Sequence, residues 1–60
     1  MEHTLSNTDI VNAIRNAAIS RCTIMDTPDI MECYYEMIKQ PCNNSLEVFE
    51  RAQKYVDANF

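Results

Sequence analysis

The chain contains no glycine, and only Pro28 and Pro41 interrupt it. Glycine supplies the positive φ of tight hairpin turns and the freedom of flexible linkers. Without it a meander of short strands is hard to close, and helices joined by short polar loops are favoured. The chain is 47% apolar, which separates it from disordered tails. Its sixty residues allow one domain. A domain of that size buries only about 60% of its unfolded surface and is marginal alone.

The middle of the chain, Thr27 to Lys39, is both its most apolar and its most acidic part. Thr27 is placed to cap a helix, Pro28 suits the first helical position, and Asp29 favours the positive end of the dipole. Pro41 forbids continuation beyond about Gln40. At about 100° per residue, Asp29, Glu32, Glu36 and Lys39 fall on one side. Ile30, Met31, Cys33, Tyr34, Tyr35, Met37 and Ile38 fill an arc of roughly 200°, twice what a single neighbour hides. Tyr34 is central to that arc. Tyr35 lies at its rim, where an apolar body with a polar tip suits either an interface or a half-buried core position.

Ser6-Asn7-Thr8-Asp9 resembles a capping box and starts a helix over about 7–22. Its inner arc is Ile10, Val11, Ala13, Ile14, Ala17 and Ala18, whose alanines permit close helix approach. Arg21 points along the same arc and must carry its charged head to water. Ile19 falls on the outer side. Ile24 and Met25 are expected to close one end of the core. Pro41-Cys42-Asn43-Asn44 is a turn, with Asn44 or Ser45 as the next cap. The third helix, about 45–58, sets Val48, Phe49, Ala52, Tyr55, Val56 and Phe60 on one face. Its other face offers Glu47–Arg51 and Glu50–Lys54 as i,i+4 pairs. The sequence therefore predicts an all-α, three-helix bundle over 1–60, with helices at about 7–22, 27–40 and 45–58, Met1–Leu5 as a loose tail, and either a homodimer or docking on another protein through the spare apolar surface of the middle helix.

The formal net charge is −4. Residues 1–25 are neutral (Glu2, Asp9 against Arg15, Arg21), residues 26–40 carry −3 (Asp26, Asp29, Glu32, Glu36 against Lys39), and residues 41–60 carry −1 (Glu47, Glu50, Asp57 against Arg51, Lys54). An acidic surface repels nucleic acid and anionic lipid, and suits a basic protein partner or simple solubility. No apolar run approaches the roughly 20 residues that span a bilayer. The Met1 end lacks the pattern of a signal peptide, so the cytoplasm is the expected location. Cys22, Cys33 and Cys42 form no CxxC pair and read as small apolar residues. His3 is the only further candidate for a metal set, and no metal or other cofactor is expected. Cys42, in the turn, is the thiol expected to be exposed and able to crosslink copies on oxidation.

Catalytic arrangements fare poorly. The single histidine lies in the tail, away from any cysteine it could activate. Asp29, Glu32 and Glu36 line up on one face, as solvated carboxylates do, and the chain is short for a catalytic pocket. A helix–turn–helix reader of DNA needs several cationic donors, and the third helix offers Arg51 and Lys54. The expectation is a non-enzymatic interaction module. Ile30, Met31, Tyr34, Tyr35 and Ile38 supply hydrophobic contact to a partner, and Asp29, Glu32 and Glu36 bias its choice. An acidic decoy of a nucleic-acid-binding protein and a weak DNA-binding regulator are the alternatives.

In its short, glycine-free, acidic character and its capped starts (Ser6-Asn7-Thr8-Asp9 and Thr27-Pro28-Asp29), the chain resembles the early-region accessory proteins of temperate, lambdoid bacteriophages. That resemblance implies a helical protein of the host cytoplasm that acts by binding host or phage proteins. It carries over no functional residue.

Overall fold

A computed structural model describes residues 4–60. Residues 1–3, and with them the roles considered for His3 and most of the tail, lie outside the described residues. Three helices follow one another, α1 (Asn7–Ser20), α2 (Thr27–Met37) and α3 (Ser45–Asn59), and the described residues contain no strand. The expected three-helix bundle is what forms. At one end the Leu5 amide donates to the Cys42 carbonyl at 3.1 Å. At the other, Arg21 forks onto Asp57, with Nε–Oδ1 at 3.1 Å and Nη2–Oδ2 at 3.2 Å. α1 and α3 therefore run parallel and α2 returns antiparallel to both. α1 and α3 form the principal pair, with α2 laid across them.

The core takes Ile10, Ala13, Ile14 and Ala17 from α1, Cys33 and Met37 from α2, Cys42 from the second connection, and Val48 and Ala52 from α3. The period of the sequence selects these faces, and the small residues of the α1–α3 seam let the two backbones approach. Several placements differ from expectation. Ile24 is 89% exposed rather than closing the core, and Phe60 is exposed beyond the last turn. Cys42 is buried, and Cys22 is the exposed thiol. Thr4 and Leu5 are held rather than loose: the Thr4 amide and hydroxyl bond Asn43, and Leu5 packs on the core.

Ser6 and Asn44 cap as expected. Ser6 Oγ accepts from the Asp9 amide at 3.2 Å, and Asn44 Oδ1 accepts from the amides of Leu46 at 2.8 Å and Glu47 at 3.4 Å. α2 departs from its expected start. Asp26, not Thr27, occupies the N-cap, and its side chain makes no capping hydrogen bond.

Both of the first two helices stop early. α1 ends at Ser20 because the chain turns through Cys22 at φ 53°. The Cys22 amide donates to the Ile19 carbonyl at 3.0 Å and the Thr23 amide to the Ala18 carbonyl at 2.9 Å. This is a Schellman ending with a cysteine where glycine usually stands, at a cost of about 1–2 kcal/mol for a side chain in the left-handed region. Cys22→Gly is expected to stabilise the fold by about 0.5–1 kcal/mol, net of the extra entropy glycine brings to the unfolded chain. A thermal melt reads this as a gain of several degrees, and a lower melting temperature would refute it. α2 ends at Met37 rather than near Gln40. Pro41 biases Gln40 away from helical angles, and the released Met37 carbonyl collects other donors: Cys42 Sγ at 3.3 Å and Arg51 Nη2 at 3.1 Å.

Candidate protein interaction surface

α2 divides its wide apolar arc among three surroundings. Cys33 and Met37 enter the core. Ile30, Tyr34 and Ile38 are half-buried and pack against it, and the Tyr34 hydroxyl donates to Asn7 Oδ1 of α1 at 2.7 Å. Met31 and Tyr35 stay exposed, at 40% and 56%. The reason is geometric: a helix laid across two others gives each of them part of its surface. Met31 and Tyr34 line a shallow depression of about 190 Å³ with Asn7 and Val11. The Tyr34 and Tyr35 rings meet edge to face with centroids 5.7 Å apart. Three of the five apolar candidates thus serve the fold, and two remain for a partner.

The acidic candidates follow Tyr35 around the helix, beginning with Glu32 at about 60° from it. Asp29 is half-buried, and Glu32 and Glu36 are exposed. Their fields converge on Tyr55 of α3. Its phenol is raised above the ordinary value, by burial first and then by Cys33, Glu32, Glu36 and Asp29. Glu36 pairs with Lys39 at 3.1 Å, which leaves Glu32 the most available of the three carboxylates. Burial, reinforced by Glu36, pushes the Cys33 thiol up to about 11, so it stays protonated at neutral pH. Among the described residues no three His, Cys, Asp or Glu side chains converge as metal ligands do.

Arg51 does not sit on an outer face. It turns to the second connection, with Nη1 donating to Gln40 Oε1 at 3.2 Å and Nη2 approaching Cys42 Sγ at 3.2 Å. The expected Glu47–Arg51 and Glu50–Lys54 pairs are not made; the ion pairs among the described residues are Arg21–Asp57 and Lys39–Glu36. Of the two cations considered for DNA, Arg51 is engaged within the fold, and Lys54 is exposed.

A second apolar region was not singled out as a site in the sequence. Ile19, at 72% exposure, and Ile24 border an open groove of about 490 Å³ between the end of α1 and the start of α2. Arg15, Met25, Asp26 and Ile30 also line it. Helix phase alone sets Ile19 outward, but bringing Ile24 beside it requires the left-handed turn at Cys22. No sequence rule assigns that conformation to a cysteine.

No helix among the described residues is long and apolar enough to cross a membrane. No protein-family model matches the chain, and no curated protein or solved structure is significantly similar to it.

Proposed function

We propose that the chain is a non-catalytic association module that docks on a basic protein through the outer surface of α2. The observation that carries this reading is the exposure of Met31 and Tyr35 on the same helix that presents Glu32 to solvent. Met31 and Tyr35 provide contact area that loses water on docking, and tyrosine anchors such contacts at low entropic cost. Glu32 and the neighbouring acidic border steer a cationic partner and act mainly on the rate of encounter. In a chain with the character of phage early proteins, that partner would be a host or phage protein met in the host cytoplasm.

Affinity capture from cell lysate tests this reading. Tyr35→Arg is expected to weaken retention of the captured protein by about tenfold or more. Glu32→Lys is expected to slow capture and reduce its salt sensitivity. Should Tyr35→Arg, Met31→Glu and Glu32→Lys all retain the same proteins as the native chain, the α2 surface is only solvated exterior and the reading fails.

A further inference from the structure

The groove between the end of α1 and the start of α2 has a shape and charge that the α2 surface does not use. Ile24 and Ile19 stand exposed along its walls at 89% and 72%, and both are apolar. A β-branched side chain standing 89% exposed beside an open groove is a knob without a hole. The groove also holds one cation and one anion. Among the described residues neither Arg15 nor Asp26 enters an ion pair, and the Asp26 carboxylate makes no capping bond although it occupies the N-cap of α2.

We propose that this groove seats a second copy of the same chain, in a two-fold pair where each Ile24 enters the other copy's groove and each Arg15 faces the other copy's Asp26. A two-fold axis presents one patch to itself, so the patch must carry both members of every complementary pair. This one does: a knob with a groove, and a cation with an anion. Elsewhere a chain of net charge −4 repels its copies, whereas here the local charge balances. A basic partner would meet Arg15 and an acidic one Asp26, so neither fits this groove as well as another copy does. The inference shares with the proposed function the premise that the chain acts by association, but it uses different residues.

Sedimentation velocity of the full chain from about 5 to about 500 µM should show the mass growing toward two chains. Ile24→Asp should raise the dimer dissociation constant on the order of a hundredfold, since each pair contains the contact twice. Arg15→Asp and Asp26→Arg should each be monomeric alone, and mixing the two should restore a dimer, because both cross-pairs are then again of opposite sign. Restoration also shows that both variants are folded. A native chain that stays monomeric throughout overturns the proposal. So does a dimer that survives Ile24→Asp, or one removed by Tyr35→Arg instead. Ile24, Arg15 and Asp26 line the groove and Met31, Tyr35 and Glu32 do not, so loss of the dimer with unchanged lysate capture, or the converse, separates failure of this inference from failure of the proposed function.

Discussion

Ile14→Ala is expected to lower stability by about 3 kcal/mol, whereas Ile19→Ala changes it by less than about 0.5 kcal/mol. The two residues have the same side chain and belong to the same helix, and they differ only in phase. Ile14 is 0% exposed and Ile19 is 72% exposed. Truncation at Ile14 removes the transfer energy of the lost carbons and leaves a cavity besides. The buried alanines of the seam, Ala17 and Ala52, carry no side-chain atoms that could swing into the void. The cost should therefore not relax toward the lower limit for such changes. A chain of sixty residues, at about 0.05–0.15 kcal/mol per residue, has only about 3–9 kcal/mol in total. The loss is thus a large share of the whole, and the melting temperature should fall by about 12–24 °C. Circular dichroism melts at low micromolar concentration keep self-association out of the comparison. Equal melting temperatures for the two variants would mean that α1 does not dock by the face described.

The same pair of residues shows what was legible in the sequence. Apolar spacing places Ile10, Ala13, Ile14 and Ala17 inward and Ile19 outward, and the structure agrees. The starts at Ser6 and Asn44 were also legible, because a capping side chain acts on amides two or three positions away. What escaped depends on distant groups. Whether Cys42 is exposed is decided by Leu5, Met37 and Arg51, which come from three other parts of the chain. Whether Ile24 closes the core is decided by the angle at which α1 ends. Of the candidate site, the helix was legible but its division was not. Spacing alone could not say that Ile30, Tyr34 and Ile38 would serve the bundle while Met31 and Tyr35 remained outside.

The two surfaces differ in what they can do. The border of α2 joins an exposed tyrosine and methionine to carboxylates of one sign, an arrangement that would favour a partner of the other sign in the proposed docking. The groove joins two isoleucines to charges of both signs, an arrangement that is complementary to itself. A pair formed through the groove would present two acidic borders. A partner able to engage both would then gain from effective concentration rather than from new contacts.

Arg51→Lys is expected to destabilise the bundle by about 2 kcal/mol, although it keeps the charge. α2 has no basic residue in its last turn, and the negative end of its dipole is met by Arg51 from α3. The planar guanidinium reaches three atoms at once: the Met37 carbonyl at 3.1 Å, Gln40 Oε1 at 3.2 Å and Cys42 Sγ at 3.2 Å. A lysine ammonium is a single point on a flexible stem and cannot fork between the end of α2 and the connection that follows it. The Met37 carbonyl then keeps only the Cys42 thiol and the Gln40 amide, which is longer at 3.4 Å. The connection should loosen locally before the helices part, so Cys42 should react faster with a thiol reagent while the exposed Cys22 reacts at its former rate. Glu47→Gln is the matched control. The Glu47–Arg51 pair is not formed, so this change should alter stability by no more than about 0.5 kcal/mol. If Arg51→Lys proves neutral and Glu47→Gln costly, the arginine belongs to the outer face after all, and the end of α2 must be held by something other than this fork.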